Sequence, residues 1–260
     1  MSPFPGTGEL LAVVCGSAVG FSLALVGGGG SILATPLLLY VVGVRDPHVA
    51  IGTSALAVSA NAFANLWPHA RAGHVRWRAA FVFAATGVLG AWLGSNLGKA
   101  MDGHRLLALF ALLMLVVALL MLRGRRIERA ARYPLPNSFA RLGAVGLGAG
   151  GLSGFFGIGG GFLIVPGLMF ASGMEIINAI GTSLFSVGSF ALTTAGNYAV
   201  SGLVDWRVAL EFIGGGVLGG WLGALGAQRL AHTRGALNVL FAGVIVLVAL
   251  YMLYRSAQAM

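Results

Sequence analysis

Long apolar stretches make up most of the chain, and short polar or charged breaks separate them. A run of about 20 apolar residues is the length that an α-helix needs to span a bilayer. The pattern predicts an all-α, polytopic helical membrane protein, because no segment shows the polar–apolar alternation of barrel strands. Ten apolar segments lie at approximately 9–26, 31–44, 49–70, 78–98, 105–122, 139–156, 161–172, 177–200, 207–229 and 235–254.

These segments form two sets of five because the sequence repeats itself. The block IGTS at Ile51–Ser54 returns at Ile180–Ser183, which is 129 positions later. GVLGAWLG at Gly87–Gly94 returns as GVLGGWLG at Gly216–Gly223 with the same spacing. The repetition predicts two homologous transmembrane repeats joined by a charged linker, with boundaries at 1–122, 123–137 and 138–260.

The second segment of each half is too short to cross a membrane in the usual way. Ser31–Val44 and Gly161–Ser172 each follow a glycine run and contain a matched proline, Pro36 or Pro166. Such segments are typical of re-entrant pieces or half-helices that lie inside a membrane protein. Interrupted segments at corresponding places in two repeats also point to the substrate site of a transporter.

The basic residues predict how the chain is oriented. If the 123–137 linker is cytoplasmic and each half crosses an odd number of times, most of the 16 Lys and Arg residues fall inside, as the positive-inside rule requires. Both termini are then outside and the repeats are inverted. Merging the first two segments of each half would give parallel repeats with the same charge bias. We prefer the inverted model because a tetraglycine is a poor helix interior.

Composition narrows the class further. Hydrophobic residues are 58% of the chain and charged residues only 9%, well below the roughly 25% of soluble domains. The net charge of +9 does not indicate nucleic-acid binding, because the arginines lie at the ends of apolar segments. The expected surroundings are therefore membrane lipid and no nucleic acid. The GxxxG spacings Gly90–Gly94 and Gly219–Gly223 indicate close helix contact, within a protomer or in a homodimer.

The glycine runs are the first candidate substrate-binding elements. A helix start offers free backbone N–H groups and the positive end of a dipole, so two such starts facing each other would bind an anion. The alternative is that these glycines only permit close packing or a tight turn. The candidate residues are Gly28, Gly29, Gly30 and Ser31 in the first half and Gly159, Gly160 and Gly161 in the second.

Polar side chains on segments three and eight are the second set of candidates. Their spacing places several on one stripe of a helix, which should face a protein interior or cavity rather than lipid. Interhelical hydrogen bonds, or bonds back to the helix backbone, are the alternatives. The candidates are Thr53, Ser54, Asn61 and Asn65 on segment three and Thr182, Ser183 and Ser186 on segment eight.

Glu211 is a candidate proton-coupling group, because a carboxylate well inside an apolar segment indicates function by default. Arg207 lies four residues earlier on the same face, so a surface ion pair is the preferred interpretation. His69 lies near the end of its segment, without companions at metal-ligand spacing. We expect no metal, no cofactor and no catalytic residues, and no nucleotide-binding motif is present.

The order and double occurrence of these motifs resemble the sulfite exporter TauE/SafE family of membrane permeases. The resemblance rests on GGGGSILATP with IGTSALAV, on GIGGGFLIVP with IGTSLFSV, and on the paired GVLG blocks, and it covers about residues 10–253. It implies a multi-pass inner-membrane transporter of small sulfur-containing anions such as sulfite or sulfonates. No motif identifies the anion. The positions to which the resemblance assigns a role are limited to the glycine runs, the prolines and the IGTS blocks.

We therefore expect a secondary transporter, not an enzyme, that works by alternating access around a midplane site. We also expect the two glycine runs and the two IGTS blocks to converge on one small oxyanion. A passive anion channel, or a transporter of a different small ion or metal, are the alternatives. The direction of transport, the energy source and the oligomeric state are left open.

Overall fold

The computed structural model describes residues 7–122, 139–229 and 234–259. These residues are almost entirely helical and include no strand, which confirms the all-α prediction. Within the described residues, four helices are long and apolar enough to cross a membrane by length and composition: α3, α4, α6 and α8. The ten α-helices are α1 Thr7–Val26, α2 Ala34–Leu37, α3 Pro47–Arg71, α4 Trp77–Ala100, α5 Gly103–Leu122, α6 Phe139–Phe156, α7 Gly161–Ser172, α8 Ile176–Val200, α9 Trp206–Arg229 and α10 Arg234–Ala259.

The predicted linker and repeat boundary at 123–137 lie outside the described residues, so the division of the chain into parts stays a prediction.

Aspartates set the starts of two helices that matter for the site. Asp46 Oδ1 accepts hydrogen bonds from the amides of His48 and Val49 at the start of α3. Asp205 Oδ1 does the same for the first amides of α9. A side-chain oxygen at this position satisfies backbone N–H groups that have no partner within the helix. These caps fix where the two helices begin.

Glycines let the first helix of each half pack on the fourth helix of the other half. A Cβ on Gly20 of α1 would overlap the carbonyl of Gly216 on α9, and a Cβ on Gly150 of α6 would overlap the carbonyl of Gly87 on α4. Contacts along both pairs advance in the same chain direction, so each pair is parallel. Close backbone approach of this kind is typical of helix packing in membranes, and it explains much of the chain's glycine content.

The central helices α3 and α8 run antiparallel to each other. Ser59 Oγ donates to the carbonyl of Gly188 at 2.9 Å, and these residues occupy equivalent positions of the repeat, 129 apart. Towards one end, Thr53 Oγ1 accepts from the amide of Asp205 at 2.9 Å. Towards the other, Thr182 Oγ1 accepts from the amide of Arg76 at 3.0 Å. The two outer hydrogen bonds are therefore also equivalent under the repeat.

The short second segments differ between the halves, which corrects one expectation. In the second half the chain breaks after α6, at glycines with φ near +65°, and α7 then begins at Gly161. In the first half Gly27–Leu33 is 3₁₀-helical and lies between α1 and α2, and Leu38–Val42 forms a π-helical turn. The first glycine run therefore lies in a 3₁₀ segment that turns the chain back beside α1, and not in a loop before an α-helix start.

Both short segments return along the helix that precedes them. Val42 and Gly43 line the same cavity as Gly8 at the start of α1. A Cβ on Gly167 of α7 would contact Val145 of α6 at 3.0 Å. Each segment thus brings the chain back toward the end of the bundle at which the preceding helix began, and the next long helix starts there.

Candidate functional site

Polar residues are buried around the crossing of α3 and α8. Burying a hydroxyl or amide without a hydrogen bond is unfavourable by about 1–3 kcal/mol, so most such groups have partners. Several here bond back to their own helix: Ser54 Oγ donates to Ile51 O and Ser183 Oγ donates to Ile180 O. The fully or almost fully buried polar residues of the central region are Ser31, Thr35, Thr53, Ser54, Ser59, Asn61, Ser153, Thr182, Ser183, Ser186 and Thr194.

Three of these buried side chains have no hydrogen-bond partner. Both amide atoms of Asn61 and the hydroxyls of Ser153 and Ser186 are unpartnered, and all three residues have 0% exposure. Asn61 and Ser186 are among the predicted substrate-binding residues. An unpartnered buried polar group calls for an explanation, and a bound ligand or ion is one.

Ser153 lies against the glycine turn that begins α7. Gly160 is the N-cap residue of α7, with φ 65° and ψ 13°. A Cβ on Gly160 would lie 2.6 Å from Ser153 Cβ and 3.0 Å from its Oγ. The first amides of a 12-residue helix and a buried hydroxyl therefore share one small region. Both kinds of group donate hydrogen bonds, and the helix start adds partial positive charge.

Sequence reasoning did not find Ser153. Its equivalent in the first half is Leu23, 130 positions earlier, so the repeat offers no matching polar residue. One feature of the sequence could have indicated it: Ser153 lies four residues before the glycine run. In a helix that ends at that run, this position is about one turn from the glycines.

Asn61 faces α9 at the level of the same crossing. A Cβ on Gly216 would overlap the Asn61 amide, so a side chain there would displace it. Asn65 Nδ2 donates to the main-chain carbonyl of Asn61 at 2.9 Å, so the Asn65 side chain has its partner within its own helix. Val58, one helical turn before Asn61, is beside Gly159, since a Cβ on that glycine would lie 2.9 Å from Val58 Cγ1. Asn61 and the α7 turn thus lie within about one helical turn of each other along α3.

The two IGTS blocks do not meet. Thr53 lies six residues before Ser59, and Thr182 lies six residues before Gly188. With a rise of about 1.5 Å per residue, the two threonines are roughly 18 Å apart along the antiparallel pair. One small oxyanion cannot contact both, so the expected convergence of the blocks is not what the structure shows. Each threonine instead holds the loop before a neighbouring helix.

The first glycine run also departs from expectation. Gly28, Gly29 and Gly30 belong to the 3₁₀ helix, so this run presents no helix start. A Cβ on Gly30 would lie 2.5 Å from Ser22 Oγ, so this glycine allows close approach to α1. Ser31 is fully buried in the same segment. Facing helix starts from the two halves are therefore absent in the described residues.

Glu211 forms the ion pair that the sequence indicates. Arg207 Nε lies 3.4 Å from Glu211 Oε1, and Arg207 also bonds Glu9 of α1. These residues line a cavity of about 610 Å³ at the end of the bundle where α1, α3 and α9 begin, together with Arg45 and Asp46. The pair is at the rim of this cavity, one side chain being 75% exposed.

Acidic, histidine and cysteine side chains do not gather into a metal site in the described ranges, where no group of three could hold an ion. His69 faces His74, with ring centroids 6.0 Å apart.

A helical bundle with apolar spans and a buried polar centre defines the class as a helical membrane protein. The chain matches the model of the family described as Sulfite exporter TauE/SafE over residues 12–252. It belongs to that family, which places it among membrane transporters.

Curated relatives agree with this placement. A probable membrane transporter protein of Xylella fastidiosa (strain 9a5c) is 56% identical over 249 residues, covering 95% of each chain. The probable membrane transporter protein YunE of Bacillus subtilis is 27% identical, covering 95% of this chain and 98% of its own. A probable membrane transporter protein of Haemophilus influenzae is 28% identical and covers 74% of both. No solved structure matches the chain.

Proposed function

We propose that this protein is a secondary transporter in the inner membrane that moves a small sulfur-containing anion, such as sulfite or an organosulfonate, by alternating access. The single observation that carries the proposal is the fully buried, unpartnered Ser153 hydroxyl beside the glycine turn at the start of α7. The turn and hydroxyl supply hydrogen-bond donors at the centre of the bundle. In the described residues no Lys or Arg is among the buried side chains.

This chemistry favours an anion over a cation. A helix start donates N–H groups and carries partial positive charge, whereas a cation site would need carboxylates or converging carbonyls. Neutral donors also avoid the large unfavourable free energy of burying a free cation in the membrane. Membership of the sulfite exporter family supports the same substrate class.

Alternating access is supported by the way the halves interlock. Equivalent helices α3 and α8 run antiparallel, and the Thr53–Asp205 and Thr182–Arg76 bonds recur at equivalent positions. We therefore interpret the halves as inverted repeats. Inverted repeats can exchange their conformations by rocking about a fixed central site, and the Ser59–Gly188 contact lies at that centre.

The test uses purified protein in proteoliposomes loaded with sulfite. A transporter should show saturable uptake of labelled sulfite that is accelerated by unlabelled sulfite on the opposite side. Flux that rises linearly with concentration, without exchange, would instead identify a passive channel. Failure of both sulfite and organosulfonates to exchange would overturn the substrate class.

A matched pair of serine variants tests the site. Ser153→Ala should weaken anion binding by about two- to tenfold, the value of one net hydrogen bond. Ser172→Ala is the control, because Ser172 Oγ already donates to Leu168 O near the other end of α7. If the two variants bind the anion equally well in calorimetry, the site lies elsewhere.

A further inference from the structure

The two halves place different side chains at one equivalent position. Asn61 on α3 lies against Gly216 of α9, and Phe190 on α8 lies against Gly87 of α4. Both pairs are related by the 129-residue repeat. In each case a Cβ on the glycine would overlap the facing side chain. At each glycine the missing side chain leaves a recess in the helix surface, which an amide occupies in one half and a ring occupies in the other.

Phe190 fills its recess with hydrocarbon. Its ring stacks on Phe83, with centroids 6.0 Å apart and planes at 20°, and both residues are fully buried. Asn61 is a shorter side chain, and both of its amide atoms lack a partner although the residue is fully buried. The polar recess is thus single and belongs to the first half of the chain.

We propose that the buried, unpartnered Asn61 amide binds the substrate and selects a singly protonated oxyanion. The inference rests on the proposed function and names the chemical form of its substrate. A primary amide offers a donor, Nδ2–H, and an acceptor, Oδ1, side by side. A protonated oxyanion such as hydrogen sulfite offers the complement, since one oxygen accepts and its O–H donates.

A fully ionised dianion fits this amide less well. It has no proton to give to Oδ1, so that atom would stay buried without a partner, which is unfavourable. A second negative charge also raises the desolvation free energy in a centre whose described buried side chains are all uncharged. An organosulfonate satisfies Nδ2 but not Oδ1, so it should bind through the donor alone.

The experiment measures binding of sulfite and methanesulfonate by calorimetry, below and above the second ionisation of sulfite. The parent protein should bind sulfite more weakly above that ionisation, by about tenfold per pH unit, as the protonated form disappears. Methanesulfonate keeps one charge and no O–H at both pH values, so its affinity should not change. Tighter sulfite binding at the higher pH would mean that the dianion is bound and would overturn the proposal.

Variants separate this inference from the proposed function. Asn61→Leu should weaken hydrogen sulfite binding by about tenfold to a hundredfold, because two hydrogen bonds are lost. The control is Asn96→Leu, since Asn96 is exposed on α4 and bonds its own helix at Trp92 O. If Asn61→Leu keeps the parent's affinity and pH dependence, only the inference fails. If the parent protein binds no oxyanion at either pH, the proposed function fails with it.

A second variant guards against misfolding of the first. Asn61→Phe recreates the ring-and-glycine arrangement that Phe190 and Gly87 already form, so the scaffold should accept it. A folded, monodisperse Asn61→Phe protein should bind no hydrogen sulfite because the ring has neither the donor nor the acceptor of the amide. Parent-like binding by that folded variant would also overturn the assignment of Asn61.

Discussion

Replacing Thr182 with valine should destabilise the bundle without changing anion affinity. Thr182 Oγ1 accepts a hydrogen bond from the Arg76 amide at 3.0 Å, in a partly buried loop between α3 and α4. Valine has nearly the same shape but no acceptor, so that amide loses its partner. Leaving such a group unsatisfied is unfavourable by about 1–3 kcal/mol. Because the bond is only partly buried, we expect a loss of about 1–2 kcal/mol in the free energy of unfolding.

The repeat supplies an internal replicate. Thr53→Val removes the acceptor of the Asp205 amide at 2.9 Å and should have a similar effect. The two threonines are roughly 18 Å apart along the helices, and effects of sites this distant usually add to within about 0.5 kcal/mol. The double variant should therefore lose about 2–4 kcal/mol.

Equilibrium unfolding in mixed micelles measures the free energies, and calorimetry on the folded variants measures anion affinity. Thr182→Ser is the control, because serine keeps the accepting oxygen and should retain most of the stability. A Thr182→Val protein of parental stability with a several-fold weaker affinity would refute the structural interpretation. That result would support the original expectation that the IGTS hydroxyls contact the anion.

Three further predictions concern topology, Glu211 and the α7 turn. Reporter fusions should place the 123–137 linker in the cytoplasm and Met260 outside, as the inverted-repeat model and the positive-inside rule predict; a cytoplasmic Met260 would contradict that model. Glu211→Gln should keep substantial transport and change stability by less than about 1 kcal/mol, because its partner Arg207 is 75% exposed and also bonds Glu9; loss of the dependence of transport on a proton gradient would identify Glu211 as the coupling group. Gly160→Ala should lower the free energy of unfolding by at least about 1–2 kcal/mol, because alanine at φ 65° is strained. Gly148→Ala is the control: its helical position has open space for a Cβ, so the free energy of unfolding should rise by up to about 1 kcal/mol. Thermal unfolding measures both changes.

Local features of the sequence predicted the helices well. Apolar runs and breaks placed ten segments, and helices begin within a few residues of most expected starts, as at Trp77 and Trp206. This succeeds because membrane helices depend on contiguous hydrophobicity, and because Asp46 and Asp205 cap the residues that follow them in the chain. The ion pair that the sequence indicates for Glu211 is present, since its partner Arg207 is four residues away on the same helix.

The candidate site was predicted only in part. Asn61 and Ser186 are buried and unpartnered, and their binding role stays a prediction, whereas Thr53 and Thr182 accept hydrogen bonds from loop amides far along the chain. Repetition of the IGTS motif could not distinguish a binding role from a structural role, because a hydrogen bond that both halves need also repeats the same residues. Ser153 was missed because its repeat equivalent is leucine.

The sequence by itself determined the membrane class, the two repeats and the positions where helices begin, because these depend on hydrophobicity, capping and glycine within a short window. Only the tertiary structure decided that α1 packs on α9 and α6 on α4, and that Lys99 holds the end of α8 by bonding Asn197. It alone decided that one glycine run tightens into a 3₁₀ helix while the other breaks at positive φ. The physical reason is that partner choice and backbone conformation at glycine depend on contacts between distant segments, which the order of residues along one segment does not contain.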